Sequence, residues 1–253
     1  MVDQATDIAA NLLQLQARIA SAARRAGRTP DEVILVAVTK THPLETIQAA
    51  YHAGLRHFGE NRVEEGRLKI AAFREWLATQ VGTAELPTWH MIGHLQHRKV
   101  NDALAHFDTI HSVDSLRLAE RLERLAGARR APVPILLECN VSGEVSKYGF
   151  ALSQWASDRQ TRLEFFEMVR RILALPHLSV QGLMTMAPLM ADPEQTRPVF
   201  ATLRALREVL RAEFPQLAWS HLSMGMSDDF EVAIEEGATL IRIGRALFGE
   251  RRH

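Results

Sequence analysis

The sequence predicts an α/β fold: a single (β/α)8 barrel of the TIM type with an additional N-terminal helix. Three observations carry this expectation. Strand-like and helix-like segments alternate from Val33 onward, eight strand-like segments can be counted, and no change of composition divides the chain. Its 253 residues also suit a barrel, which uses about 250 residues as one domain.

The opening helix is read from Ile8, Leu12, Leu15 and Ile19, which recur at helical spacing and stop before Gly27. Residues 1–28 are therefore expected to pack as a helix on a barrel domain spanning 1–253. The first strand is VILVAVTK, a β-branched run interrupted by His42-Pro43, and PLETIQAAYHAG follows as its helix. The rhythm then repeats through LRHFGE, TWHMIG, TIHSV, VPILLECNV, SVQGLM, AWSHLSMG and TLIRIG. Helices are expected at 62–78, 99–105, 115–126, 163–173, 194–213 and 229–236. Most of the strand segments are apolar nearly throughout, as required of parallel strands covered on both faces. A doubly wound open sheet is the competing architecture. Residues 82–87 read as the most loop-like long connection.

Thirty basic and thirty acidic residues cancel to a formal net charge of zero, so no overall field points to nucleic acid or to an anionic membrane. The start of the chain has neither a basic leader nor a long apolar run, and Cys139 is the single cysteine. These features exclude a disulfide framework and suit the cytoplasm. A small ligand and a monomer are the expectation.

Barrel sites lie at the C-terminal ends of the strands, with phosphate commonly held by the loops after strands seven and eight. After the seventh strand the sequence reads HLSMGMSDDF, and after the eighth RIGRALFG. Ser223 offers a hydroxyl donor, Gly225 close backbone approach, and Ser227 or Asp228 a helix cap; Gly244 begins a turn whose amides can face an anion. Lys40 ends the first strand, adjacent to the eighth in a closed barrel, where an amine can form a Schiff base with an aldehyde. Arg242 shares a strand face with Gly244. If the aldehyde is carried on a pyridine ring, an arginine there donates to the unprotonated ring nitrogen and weakens the ring as an electron sink.

The segments AVTKTHP, FGENRVEE, WHMIGHLQHRK, HSVDS, ECNVSGEVSKYGF, QGLMTMAP, LSMGMSDDFEVAIEEGAT and RIGRALFG together resemble the YggS-type pyridoxal phosphate homeostasis proteins, also called PLPBP. The likeness runs almost end to end. It implies a barrel similar to the N-terminal domain of alanine racemase, with pyridoxal 5'-phosphate as the cofactor. It further implies that Lys40 carries the Schiff base, that Asn61 lies near the ring, and that Ser223 binds phosphate. Arg242 would face the ring nitrogen and Gly244 would belong to the phosphate loop. Arg245 departs from the resembled pattern, where Thr or Ser is frequent, so the amide is retained and a hydroxyl is lost. His42 and His97-Arg98 are further departures.

The function so implied is binding of the cofactor and a contribution to intracellular vitamin B6 homeostasis, with apo-enzymes as recipients. The alternative is a racemase-like enzyme, which needs an opposing base that alanine racemase takes from a partner's extra domain. A Schiff-base aldolase is a third possibility, against which Arg242 argues. His90, His94 and His97 read better as structural than as metal ligands, and Asp228 and Asp229 better as helix-start acids than as a catalytic pair. Glu235-Glu236 and Arg129-Arg130 are expected in solvent, and Cys139 in the core. Tyr148 is a possible proton donor and Lys147 a candidate second amine at the rim.

Overall fold

The computed structural model describes residues 4–80 and 85–249. Eight parallel strands close into a barrel: β1 (Ile34–Val38), β2 (His57–Glu60), β3 (Thr88–Met91), β4 (Thr109–Val113), β5 (Val133–Asn140), β7 (Leu178–Met184), β8 (His221–Ser223) and β9 (Leu240–Ile243). Each pairs with the next, β5 pairs directly with β7, and β9 returns to β1 through Ile34↔Leu240 to Ala37↔Ile243. The open-sheet alternative is thereby excluded. A ninth strand, β6 (Phe150–Ala151), was not anticipated; it pairs with the end of β5 and lies outside the ring.

The helices are α1 (Gln4–Arg25), α2 (Leu44–His52), α3 (Val63–Ala78), α4 (Val100–His106), α5 (Leu116–Ala126), α6 (Arg159–Leu173), α7 (Arg197–Glu213), α8 (Phe230–Glu235) and α9 (Arg245–Phe248). α6 begins four residues before the apolar pattern at Leu163, because Asp158 caps it by accepting from Gln160 N and Thr161 N. The stripe of Ile8, Leu12, Leu15 and Ile19 is buried as expected. It seats α1 against α2, α8 and α9, and Asn11 donates to Leu247 O at 3.0 Å. Part of the predicted 82–87 loop, residues 82–84, lies outside the described residues.

Two apolar clusters divide the core. The larger joins the outer strand faces to the helices. The smaller, Val36, Leu136, Met184 and Leu240 with Ile34 and Met186, fills part of the barrel interior. Side chains alternate along a strand, so Arg242 shares the inward face with Leu240 and Glu138 shares it with Leu136. Both are buried.

Some charges expected in solvent are structural. Glu235 pairs with Arg25 and Arg197, and the buried Glu236 with Arg197 and Arg204, which ties α8 to α1 and α7. Arg129 donates to Leu104 O and Phe107 O, satisfying carbonyls at the end of α4.

Candidate functional site

Lys40 lies two residues past β1, in a turn closed by His42 N donating to Thr39 O at 3.1 Å. A polar knot, fully buried at Thr39 and Glu60 and part-buried at Glu65 and Lys69, anchors this turn. Thr39 Oγ1 donates to Glu60 Oε1 at 2.6 Å, and Lys69 Nζ donates to Thr39 O at 2.7 Å, Glu60 at 3.0 Å and Glu65 at 2.5 Å. Thr41 N also donates to Glu65, and Thr41 holds φ at 67°. Burial pushes the Glu60 carboxyl above the usual carboxylate range, with Lys69 pulling it back. For Glu65 the burial penalty is outweighed by Lys69 and the Thr41 amide, which hold it below that range. Sequence reasoning missed Glu60, Glu65 and Lys69; the first two stand within FGENRVEE, whose acids that reading left unassigned.

Asn61 follows β2 at the same end of the barrel. Its backbone is in close contact with Gly93, where a Cβ would lie 2.3 Å from Asn61 O. The glycine of WHMIG therefore lets two neighbouring strand ends approach.

Arg242 sits beneath the mouth and is 4% exposed. Its Nη1 donates to Ser223 Oγ at 2.6 Å and its Nη2 to Thr185 O at 2.9 Å. Burial lowers its pKa to about 10, against the opposing pull of Asp229 and Glu138, so it stays protonated at neutral pH. Glu138, missed by the sequence reading, is pushed up to about 7 by burial and by Asp114, with Arg242 opposing. Its Oε2 is buried without a hydrogen-bond partner. Asp229 is also buried; its Oδ1 accepts from Met226 N at 2.7 Å, which shapes the loop after β8.

Ser223 is the hydroxyl expected at a phosphate. It is fully buried, and its hydroxyl contacts Arg242 and His111 Nδ1, the latter at 3.0 Å. Ser227, four residues on, lies against the turn after β9: its Oγ accepts from Ala246 N at 3.2 Å. Gly225 makes that loop possible, with φ at 92° and no room for a Cβ, which would meet Ala233 Cβ at 2.6 Å. Gly244 starts the turn after β9 beside β1, where an added Cβ would lie 3.6 Å from Val38. The Arg245 guanidinium, about half exposed, pairs with Asp228.

At the rim, His94 stacks on Tyr148 with ring centroids 3.7 Å apart and contacts Asp114 at 3.1 Å. These residues, with His97, Arg117 and Lys147, line an open cleft of about 460 Å³. Lys147 Nζ stands 3.7 Å from Glu144. His90 instead points into the barrel and bonds to His111, so the three histidines of this block do not converge. Cys139 is 1% exposed, and burial raises its thiol pKa.

The fold and this mouth define a class: a (β/α)8 barrel with a lysine, a buried arginine and a hydroxyl-bearing loop gathered at the C-terminal ends of β1, β8 and β9. The family model for the alanine racemase N-terminal domain matches residues 10–252. A pyridoxal phosphate homeostasis protein of Aquifex aeolicus is 42% identical over 93% of this chain and 95% of its own. Its counterpart in Escherichia coli K12 is 39% identical over 97% of both chains. The structure of PipY from Synechococcus elongatus with PLP bound superposes with a TM-score of 0.77 at 38% identity, covering 96% of this chain and 100% of that one. The chain belongs to the alanine racemase N-terminal-domain family and, within it, to the pyridoxal phosphate homeostasis proteins.

Proposed function

We propose that this protein binds pyridoxal 5'-phosphate at the C-terminal mouth of the barrel, through a Schiff base on Lys40, and contributes to intracellular vitamin B6 homeostasis. The observation that carries the reading is Arg242, a protonated guanidinium held by two hydrogen bonds beneath the mouth in a chain so closely related to proteins of that name. The donor set suits the ligand: an amine for an aldehyde, a guanidinium for a ring nitrogen, and a hydroxyl with main-chain amides for a phosphate. When bound, the cofactor supplies an aldehyde that amines capture reversibly and a ring that withdraws electrons once its nitrogen is protonated.

Each part of the mouth then has a task. The knot of Glu60, Glu65 and Lys69 holds the turn that presents Lys40, and Asn61 stands beside the ring. Arg242 keeps its own proton and donates to the ring nitrogen, which disfavours the electron-sink form. Ser227, Gly244 and the Arg245 amide receive the phosphate, while the Arg245 side chain stays with Asp228. Ser223 acts through Arg242. Lys147 at the rim is a second amine able to displace the first and pass the cofactor to an apo-enzyme. No described helix is long and apolar enough to cross a membrane, and we place the protein in the cytoplasm as a one-domain monomer.

Borohydride reduction followed by peptide mapping tests the reading. A single pyridoxyl group on Lys40 is expected, and a reducible cofactor retained in Lys40→Ala would defeat it. A racemase-like activity is the second reading, favoured by Glu138, a buried acid with a carboxyl near neutrality. Exchange of amino-acid α-protons in heavy water at enzymatic rates, lost in Glu138→Gln, would make that reading the better one.

A further inference from the structure

A line of hydrogen bonds crosses the barrel interior below Arg242. Ser223 Oγ meets His111 Nδ1 at 3.0 Å, His111 Nε2 meets His90 Nδ1 at 2.9 Å, and His90 Nε2 meets His57 Nδ1 at 3.1 Å. The five residues come from β9, β8, β4, β3 and β2. We propose that His111, His90 and His57 form a one-directional chain of neutral imidazoles that holds Ser223 as an acceptor and thereby aims Arg242, making His111 a positioning residue for the ring nitrogen. The last clause rests on the function proposed above; the direction of the chain does not.

The direction follows from the arginine. A guanidinium only donates, so Ser223 Oγ must accept from Nη1. Its own hydrogen then needs an acceptor, and Ser223 is fully buried, with His111 Nδ1 as its other contact. Were Nδ1 protonated, two donors would face one oxygen and a buried O–H would go unpaired. Nδ1 therefore carries the lone pair and His111 is protonated at Nε2. That hydrogen obliges His90 Nδ1 to accept, which puts the His90 proton on Nε2, and the same step fixes His57.

Neutral rings are what this interior demands. Burial holds the His90 pKa at about 3, helped by His57 and His221, and burial also holds His111 well below its ordinary value, helped by His90 and Arg242. His57, half-buried, is likewise lowered by burial. With Nη1 held by Ser223 and Nη2 by Thr185 O, the guanidinium is fixed at two points.

Nitrogen-15 histidine NMR of the ligand-free protein at neutral pH tests the direction. The expected result is an unprotonated Nδ1 and a protonated Nε2 in all three rings; a proton on any of the three Nδ1 atoms overturns the chain. Positioning is tested with His111→Leu, which removes the acceptor, and His111→Asn, which keeps an amide oxygen near the Nδ1 position. In the leucine variant the slow-rotating Nη signals of Arg242 should collapse, and pyridoxal phosphate affinity should fall about tenfold, the loss of one hydrogen bond. The asparagine variant should stay within about threefold of the parent. Unchanged Nη signals, or equal losses in both variants, overturn the positioning role. If the parent binds no pyridoxal phosphate, the proposed function falls while the tautomers and Nη signals still decide the chain. If the leucine variant does not fold, the parent's tautomers and the asparagine variant decide it.

Discussion

Lys69 Nζ lies 2.7 Å from the carbonyl oxygen of Thr39, the residue before Lys40. The same ammonium neutralises Glu60, whose side chain is fully buried. One helical lysine thus fixes the proposed cofactor lysine in place and satisfies a charge that could not otherwise be buried. Lys69→Met should cost about 3–5 kcal/mol, because it leaves a buried carboxylate without its partner. Urea denaturation of Lys69→Met against the double variant Lys69→Met with Glu60→Gln checks this: the second change should recover most of the loss.

Ser223 at the end of β8 and Ser227 in the loop after it should separate by ligand. Ser227→Ala should weaken pyridoxal phosphate binding by about 1.5–3 kcal/mol, the value of a hydrogen bond to a charged group, with little effect on pyridoxal, which has no phosphate. Ser223→Ala should weaken both ligands alike, since Ser223 touches Arg242. Fluorescence titration with the two ligands distinguishes them.

Gly93 marks a contact that no side chain can enter. In Gly93→Ala the new Cβ would stand 2.3 Å from Asn61 O and 2.8 Å from Asn61 Cα, so backbone must move, at a cost of about 1–3 kcal/mol or more. Gly27→Ala is the control: φ is 67° with nothing within 4 Å, and only about 1–2 kcal/mol of left-handed backbone cost is expected. Thermal melts of the two variants should rank in that order, and an asparagine-side displacement should reduce cofactor retention in Gly93→Ala alone.

The barrel was legible because parallel strands buried on both faces are apolar nearly throughout, and their number and order survive without any knowledge of contacts. Lys40, Gly244 and Arg242 were legible because strand ends and strand alternation place them. The motif marks Ser223, and alternation puts it on the inward face with Arg242; the contact of Ser227 with Ala246 N arises only where the loop after β8 meets the turn after β9. His57, His90 and His111 carry no local signal: they are 33 and 21 residues apart and meet only when the barrel closes. Glu236 reads as a surface charge and Lys69 carries no local signal, since partners that bury them come from other elements.

Glu138 should give stability a pH dependence of definite sign. Its folded pKa is raised from 4.5 to about 7, so between those values the folded state holds a proton that the unfolded chain has released. Unfolding then becomes easier as pH rises through this window, and the penalty is complete above pH 7. The 2.5-unit difference between 7 and 4.5 corresponds to at most about 3 kcal/mol. Glu138→Gln removes the titration. The variant should therefore gain on the parent progressively from about pH 4.5 to pH 7 and hold a constant advantage above it. Unfolding free energies of both proteins measured at half-unit steps from pH 4.5 to 8 check this, and curves that run parallel throughout would mean that Glu138 does not titrate in the folded barrel near neutrality.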